Sequence, residues 1–570
     1  MLQIILMLVI FIAIIFPMGK YLYHIAVGKH TFADPFFNRV DNGIYRLCGI
    51  DKKEMNWKQY VFAMLGTNAI MVFVGYLILR VQGVLFLNPN GIGEMEETLA
   101  FNTIISFITN TNLQHYSGES GLTYLSQITV IIFMMFTSAA TGYSVATAFI
   151  RGITGKTKTM GNFYVDLIRI ITRVLLPLSL IVGLVLVSQG VVQNLSSNVT
   201  VETIEGNLQD LTMGPIAALE SIKHIGTNGG GFIGANSTVP FENPNVFTNM
   251  IEIFSMMLLP GACVVMFGHM ARRRKIESEK AKKVLLGSEA KPLFAVMLVL
   301  LVIGAFVCYK AEQAGNPLLQ QAGLNQSMGN LEGKETRFGM AQSTFFTTVT
   351  TAFTSGSINN MHDTLTPLGG MVALVNMMLN MVFGGKGVGL MNMILYVLLT
   401  VFICGLMVGR TPEYLAKKIE GREMKLAALG IIIHPLLILS GTGLAMAITA
   451  GLSGITNPGN HGLSQVLYEF ASSAANNGSG FEGLADNTVF WNISTGLVMF
   501  FGRYISIIIL LSIASSLMLK QPVNETVGTL RTDTRTFAIA LFMVVIIIAA
   551  LTFFPALVLG PIAEHMILWN

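Results

Sequence analysis

The stretch Gly226-Thr227-Asn228-Gly229-Gly230-Gly231-Phe232 separates two apolar segments and cannot continue either of them as a helix. Its three consecutive glycines can adopt positive φ angles, which other residues rarely take. Its Thr and Asn side chains can close a turn or direct oxygen atoms toward a ligand. By itself such a stretch is typical of a simple turn, so its meaning depends on the rest of the chain.

The pattern of that stretch occurs four times. Four segments, aligned without gaps, each begin with a bulky apolar residue, continue for eight residues that can form a short helix, and then break; they are 101–114, 219–232, 346–359 and 468–481. Their starts lie 118, 127 and 122 residues apart. Recurrence at a nearly constant period indicates an internal repeat rather than four separate turns.

The residues at the four breaks are similar in kind, since they carry hydroxyl groups, amide groups or no side chain. The ninth to twelfth positions are Thr109, Asn110, Thr111 and Asn112; Thr227, Asn228, Gly229 and Gly230; Thr354, Ser355, Gly356 and Ser357; and Asn476, Asn477, Gly478 and Ser479. None of these positions holds a carboxylate. This absence argues against a ring of Asp or Glu that would select divalent cations.

The composition is that of a membrane protein, because 52% of the residues are hydrophobic and only 12% are charged, against about 25% charged in soluble domains. The net charge of +4 comes from basic residues in loops and gives no indication of a nucleic-acid partner. The four cysteines stand far apart, which argues against a disulfide framework or a zinc site.

Ten apolar segments are long enough to cross a bilayer, which takes about 20 helical residues. They are 2–18, 60–80, 123–150, 165–189, 247–270, 292–309, 369–409, 426–451, 488–519 and 537–559. The first has no basic region before it and no small-residue cleavage pattern, so we expect a retained helix. The four breaks fall between spans two and three, four and five, six and seven, and eight and nine.

We therefore expect an all-α membrane protein with ten transmembrane helices. Four helix–pore-loop–helix units should surround a pseudo-fourfold axis, at 60–150, 164–271, 290–409 and 425–519. Extra helices should lie at 1–28 and 536–570. The loops between spans that carry no break contain 25 of the 35 Lys and Arg residues. Positively charged loops face the cytoplasm. We therefore expect the four breaks and both termini outside.

A helix too short to span, followed by a break and a full helix, is typical of a re-entrant pore loop. Irregular backbone at membrane depth is tolerated where it lines a water-filled path. Four short helices would point their partly negative C-terminal ends at one axis, and the breaks would supply oxygen atoms. Backbone carbonyl and hydroxyl oxygens suit a dehydrated monovalent cation such as potassium.

These four motifs, in this order, resemble the KdpA family, the potassium-binding subunits of the bacterial Kdp potassium-transporting ATPase, over essentially the whole chain. The resemblance implies the fold of the potassium transporter superfamily and a potassium filter at the four breaks, with Gln114 and Gly231 at its outer side. It also implies a P-type ATPase partner, KdpB, the small subunits KdpC and KdpF, and the bacterial plasma membrane. The chain departs from the family's pattern at Leu113, where an aromatic residue is expected.

A second glycine-rich stretch, 383–389, interrupts the seventh apolar segment and predicts a flexible intramembrane loop that gates the ion path beneath the filter. A simple turn between helices is the alternative interpretation, but the family resemblance favours the loop. Arg503, near the middle of the ninth span, should face protein or a cavity and guard the inner side of the filter. The candidate gate residues are Gly384, Gly385, Lys386, Gly387 and Arg503.

The sequence lacks the motifs of an ATPase. It contains neither GxxxxGK followed by Ser or Thr nor Asp-Lys-Thr-Gly, so we expect no nucleotide on this chain, no catalytic residue, and potassium as the only metal. The histidines near the outer loops, His115, His224, His362 and His461, show no ligand spacing and are expected at the membrane interface.

Three functions remain compatible with these patterns: the potassium-binding and translocating subunit of an ATP-driven uptake pump, a stand-alone potassium channel or symporter driven by the ion gradient, and a membrane scaffold that transports nothing. The two extra helices favour the pump, because they offer surface to partner subunits. The fourfold repeat disfavours the scaffold.

Overall fold

The computed structural model describes residues 2–31, 33–155, 159–271, 285–523 and 530–569. Within these residues, ten helices are long and apolar enough to cross a membrane. They are Leu2–Ala26, Trp57–Val84, Tyr124–Thr154, Phe163–Ser188, Val246–Met270, Ala290–Gln321, Gly385–Met407, Gly421–Ala447, Val489–Met518 and Arg535–Trp569. The predicted all-α membrane fold with ten spans is confirmed.

Four further helices are the short ones expected before the breaks, and we call them the pore helices. They are Glu97–Ile108, Ile216–Ile225, Gly339–Ala352 and Asn460–Ala475. Their residues are almost all buried, whereas the long helices on the outside leave apolar side chains such as Phe62 and Phe73 exposed. Exposed apolar side chains on a spanning helix are the surface that lipid covers.

The apolar segment 369–409 does not form a single helix. It is divided into Pro367–Leu379 and Val388–Met407. The first of these helices ends at Asn380, which has a left-handed backbone with φ of 45°. Between the two helices the chain forms an irregular loop that we call the glycine loop, residues 380–387, with only a short 3₁₀ turn at Gly385–Gly387. The predicted bounds, 383–389, were therefore too late in the chain, because the loop already begins at Asn380 and Val388 starts the next helix.

Capping residues determine where the second helices of two units begin. Asn245 accepts a hydrogen bond from the backbone N of Thr248 at 3.1 Å, and the Thr248 hydroxyl reciprocates by accepting from the Asn245 backbone N at 3.1 Å. Thr488 accepts from the backbone N of Trp491 at 3.4 Å. Both are residue types that satisfy the free N–H groups at the start of a helix.

The N-terminal helix Leu2–Ala26 packs along Val246–Met270, and glycines on both helices allow the close approach. A Cβ on Gly261 would lie 2.7 Å from the Phe11 ring. Phe11 in turn makes edge contacts with Phe353 and Phe383 at centroid distances of 5.6 and 5.4 Å, and those two rings stack at 5.2 Å. The first helix therefore supports the third repeated segment, 346–359, and the glycine loop together.

The segments outside the spans are small. Helix Asp34–Leu47 is tied to the fourth span, because the Arg173 guanidinium lies 2.7 Å from Asp41 and 3.0 Å from Asp34. Strands β1 (Val199–Glu202) and β2 (Leu208–Leu211) form an antiparallel hairpin with Val199 opposite Leu211. A second hairpin pairs β3 (Glu413–Tyr414) with β4 (Lys417–Lys418).

Candidate functional site

The four repeated breaks meet at one place in the molecule. A Cβ on Gly229 would lie 2.7 Å from the carbonyl oxygen of Thr111, 2.9 Å from that of Asn477 and 3.0 Å from the Cα of Gly478. A Cβ on Gly356 would lie 2.9 Å from the Cα of Gly229. These residues come from all four segments, and four of them share the eleventh aligned position, so the gapless alignment corresponds to a real convergence of the backbone.

The glycines at this junction are required by geometry. Gly356 and Gly478 have φ angles of 86° and 105°, in the region that side chains rarely adopt. A Cβ on Gly356 would collide with the carbonyl oxygen of Asn477, and one on Gly478 with that of Thr111. The absence of side chains lets carbonyl oxygens approach the common axis, which is the arrangement that coordinates a dehydrated monovalent cation.

Amide side chains hold neighbouring segments together. Asn110 donates from Nδ2 to the carbonyl of Thr227 at 2.9 Å, and Asn476 donates to the Thr111 hydroxyl at 3.0 Å. Asn477 donates to the carbonyl of Thr350 at 2.9 Å. Because each bond joins a different pair of units or fixes a loop to a pore helix, contacts within the fold position the oxygens at the axis.

The outer side of the junction contains a reciprocal pair between the first and second units. The backbone N of Gly231 donates to Gln114 Oε1 at 2.8 Å, and Gln114 Nε2 donates to the carbonyl of Gly231 at 3.1 Å. Leu113, the position that departs from the family's pattern, is buried, and its carbonyl accepts a hydrogen bond from Ser106 at 2.9 Å. Its apolar side chain thus belongs to the packing around the filter.

Two buried basic side chains lie beside the junction. Lys386 Nζ donates to the carbonyl oxygens of Asn476 at 2.6 Å and Asn110 at 3.0 Å. Arg503 donates from Nη2 to the carbonyl of Ser138 at 3.4 Å, and its Nη1 has no hydrogen-bond partner among the described residues. A Cβ on Gly142 would lie 2.5 Å from Lys386 Cβ and 2.9 Å from Arg503 Nη2, so both side chains pack against the third span at this glycine.

The glycine loop lies directly under the third filter segment. The backbone N of Gly384 donates to the carbonyl of Ala352 at 3.2 Å, and that of Gly385 donates to the Thr354 hydroxyl at 3.2 Å. A Cβ on Gly387 would lie 2.5 Å from Ala146. The glycines therefore allow the loop to fill the space between the third filter segment and the third span.

Comparison with known proteins agrees with this architecture. The family model described as the potassium-transporting ATPase A subunit, KdpA, matches residues 5–566. The chain belongs to the KdpA family.

The chain is 58% identical over 568 residues to the potassium-transporting ATPase potassium-binding subunit of Clostridium acetobutylicum, covering 100% of both chains. It is 54% identical over 562 residues to the subunit of the same name from Geobacillus kaustophilus, covering 98% of each. The crystal structure of the potassium transporter TrkH from Vibrio parahaemolyticus is 14% identical, with a TM-score of 0.47 over 86% of this chain and 96% of that one.

Three of the four outer histidines of this KdpA-family chain were predicted wrongly. We expected His115, His224, His362 and His461 at the membrane interface, but the first three are buried, with exposed fractions of 4%, 0% and 0%. His115 Nδ1 lies 2.7 Å from the Asn492 amide oxygen, and its Nε2 lies 3.2 Å from Glu469. Burial is possible because each ring has a polar partner in a neighbouring unit.

Similar histidine contacts join the other units. His224 Nε2 lies 2.9 Å from the Ser357 hydroxyl, and His362 Nδ1 lies 2.8 Å from the Tyr468 hydroxyl. His461 is half-buried between Asp363 and Glu564, at 3.0 and 2.8 Å. The pair Gln114–Gly231 completes the set, so every boundary between adjacent units near the filter carries a polar contact.

The sequence analysis missed two buried ion pairs. Lys223 is fully buried with Glu220 Oε2 at 2.6 Å, and Lys334 is buried with Glu312 at 2.7 Å. Two clusters hold carboxylate and imidazole atoms close together: His115 with Glu469 and Asp486, and His224 with Glu220 and Glu252. The sequence indication was that charged residues such as Glu220, Lys223 and Glu469 occur within pore helices that are otherwise poor in charge.

Proposed function

We propose that this chain is the potassium-binding and translocating subunit of an ATP-driven potassium uptake pump. The observation that carries the proposal is the convergence of the carbonyl oxygens of Thr111 and Asn477 on Gly229, with glycines from three units at the same axis. The relatives named as potassium-binding subunits match the chain over its whole length. Hydrolysis of ATP belongs to another polypeptide, and this chain is a transport subunit.

The filter would be formed by the four repeated breaks, at positions nine to twelve of each segment. A dehydrated cation needs about 6–8 oxygen ligands, and four converging loops offer carbonyl and hydroxyl oxygens in that number. The pore helices end at Ile108, Ile225, Ala352 and Ala475, directly before these residues. Their partly negative C-terminal ends would add a favourable field for a cation.

The gate would consist of the glycine loop, which includes Lys386, together with Arg503. The Lys386 ammonium already binds two filter carbonyls, those of Asn110 and Asn476. A potassium ion leaving the filter inward would have to displace or pass that ammonium. Two fixed positive charges on the inner side favour the pump over a stand-alone channel, because a pump has to prevent potassium from running back down its gradient.

The partners would be a P-type ATPase subunit, KdpB, and the small membrane subunits KdpC and KdpF, as in the Kdp complex. The location would be the bacterial plasma membrane, with the filter side and both termini outside. Potassium would be the transported substrate, and this chain would hold no nucleotide.

Purification of the tagged full-length chain in mild detergent tests the proposal. An ATPase subunit should copurify, and its ATP hydrolysis should increase with potassium. Gly229→Ala should abolish that stimulation, because the new Cβ would contact carbonyls of two other units. Gly443→Ala is a matched control, since a Cβ there meets nothing within 4 Å. Potassium flux through the chain with no partner and no ATP would favour the channel instead.

A further inference from the structure

A cluster of charged side chains lies behind the second filter segment, outside the proposed ion path. Its members come from the second pore helix, the loop after the filter, and the span Val246–Met270: Glu220, Lys223, His224, Glu242 and Glu252. Each of them is 0% exposed. Since water cannot solvate these groups, their charges have to be balanced within the cluster.

The tautomer of His224 follows from its backbone contact. Its Nδ1 lies 2.9 Å from the carbonyl oxygen of Glu220. A carbonyl oxygen only accepts, so Nδ1 carries the hydrogen and Nε2 presents a lone pair. Burial, together with the positive charge of Lys223, lowers the pKa of His224 well below its usual value, so the ring is neutral at pH 7.

The lone pair of His224 faces two oxygens. The Ser357 hydroxyl lies 2.9 Å from Nε2 and can donate to it. Glu252 Oε2 lies 3.4 Å from the same nitrogen. Within the part of the chain that the structure describes, neither Glu252 oxygen makes a hydrogen bond of good geometry, and the Ser237 hydroxyl nearby is shared with Glu220 at 3.3 Å. An ionised Glu252 would be an unpaired buried charge next to a lone pair, which costs several kcal/mol.

The nearby ammonium is already shared by two other carboxylates. Lys223 Nζ lies 2.6 Å from Glu220 Oε2 and 3.4 Å from Glu242 Oε2. The backbone N of Ile233 also donates to Glu242 at 2.6 Å. The charged and titratable groups that face Glu252 are Lys223, Glu220, Glu242, His224 and Arg337. Three carboxylates face one buried ammonium and the Arg337 guanidinium, which is itself paired with Glu335 at 3.5 Å, so the cluster is short of positive charge.

We propose that Glu252 and His224 form a buried proton-binding site, in which the carboxylic acid of Glu252 donates its hydrogen to Nε2 of His224. The bound proton removes the unpaired charge and provides the missing donor at once. A divalent cation would also bridge these atoms, but the site is closed to solvent and the Lys223 ammonium stands beside it, so the geometry favours a proton.

This site is connected to the filter through two residues. Glu252 and the Ser357 hydroxyl share the single lone pair of His224, so loss of the proton leaves Ser357 as its sole donor. Asn236 accepts from Lys223 at 2.7 Å and donates to the Gly230 carbonyl at 2.7 Å. If the proposed filter binds potassium, proton and potassium binding should therefore be coupled, and such coupling is reciprocal.

Infrared spectroscopy of the purified full-length complex tests the proton directly. The wild type should show the carbonyl stretch of a protonated, slowly deuterated carboxylic acid, and Glu252→Gln, which mimics the neutral acid, should lose it. His224→Gln should shift the band without removing it, because Glu252 loses its acceptor. Glu242→Gln is the matched control and should retain the band. A band that is unchanged in Glu252→Gln would overturn the assignment.

Two further measurements complete the test. Elemental analysis should find no stoichiometric divalent metal, and a zinc or manganese ion that disappears in Glu252→Gln would replace the proton site by a metal site. Potassium added in weak buffer should release protons from the wild type but not from Glu252→Gln. Equal release from both proteins would contradict the proposed coupling between proton binding and potassium binding. Potassium binding is measured in the same samples, so that failure of the proposed filter can be distinguished from failure of the proton site. The infrared band reports the proton site whether or not the filter binds potassium.

Discussion

Lys386 Nζ donates to the backbone oxygen of Asn476 at 2.6 Å and to that of Asn110 at 3.0 Å. These two residues belong to the fourth and first repeated segments, so a basic side chain fixed to the protein occupies carbonyls at this edge of the junction. The group reaches them because the glycine loop places Lys386 at φ of 55°, between two longer helices.

Replacing Lys386 by Met should open the inner side of the filter. The variant removes an ammonium that competes with potassium for two carbonyls, so we expect passive rubidium flux in liposomes to rise several-fold. Lys386→Arg should keep most of the block, and Lys310→Met, at an exposed position, should behave as wild type. Flux in Lys386→Met that matches the wild type would show that the ammonium is only structural.

Arg503→Gln should weaken coupling while potassium binding persists. The guanidinium makes one weak hydrogen bond, to Ser138 at 3.4 Å, and its Nη1 has no partner among the described residues. Removing it therefore breaks few hydrogen bonds. It does remove a fixed positive charge near Lys386, and such a charge opposes a cation moving inward. The ratio of ATP hydrolysed to potassium transported should rise, with Arg503→Lys close to wild type. A normal ratio in Arg503→Gln would leave the residue as a packing group.

The ten spans and the convergence of four loops could be predicted from the sequence, because they depend on local properties. Apolar length determines a span, and glycine with short polar residues determines a break. The interruption within the apolar segment 369–409 could be predicted for the same reason, since Gly384, Gly385 and Gly387 break its apolar run.

The buried polar contacts could not be predicted, because their partners are far apart in the chain. His115 meets Glu469 across 354 positions, and Lys386 meets Asn110 across 276. Near an outer loop, a histidine or lysine is ordinarily at the interface, where its charge is solvated. Here the four units close around the filter and bury these side chains, and only the three-dimensional arrangement supplies the compensating partner.

Gly356→Ala should weaken potassium binding at the proposed filter without unfolding the protein. Its φ of 86° disfavours a side chain, and the new Cβ would collide with the Asn477 carbonyl. Overpacking of this kind costs about 1–3 kcal/mol, which corresponds to roughly 5- to 150-fold weaker potassium binding if the strain falls on the site. Isothermal titration with potassium measures the loss. Gly66→Ala, where a Cβ meets nothing within 4 Å, should bind normally, and equal affinities in both variants would contradict the prediction.

Gln114→Arg should raise the half-saturating potassium concentration. The change breaks the reciprocal pair with Gly231, in which each bond contributes about 0.5–1.5 kcal/mol, and adds a positive charge at the outer mouth. Potassium-stimulated ATPase activity should require about tenfold more potassium. The effect should be larger at low ionic strength, because salt screens the added charge. Gln114→Met separates the two causes, since it breaks the pair without adding charge; identical titrations for all three proteins would remove Gln114 from the site.

The contact between His115 and its carboxylates should make stability depend on pH. Burial alone lowers the pKa of His115, but Asp486 and Glu469 outweigh burial and raise it to about 9. A group whose pKa is raised in the folded state stabilises the protein fully below its unfolded value of about 6.5. That contribution is lost as the pH rises from there through 9.

Thermal unfolding of the purified complex should therefore show a falling midpoint between about pH 6.5 and pH 9, part of which disappears in His115→Gln. Asp486 and Glu469 should lose their partner in that variant, so its midpoint should also be lower at neutral pH. His30→Gln serves as control, because His30 is exposed. If His115→Gln retains the full pH dependence of the wild type, the imidazolium does not join the first and fourth units, and the neutral ring is held by Asn492 alone.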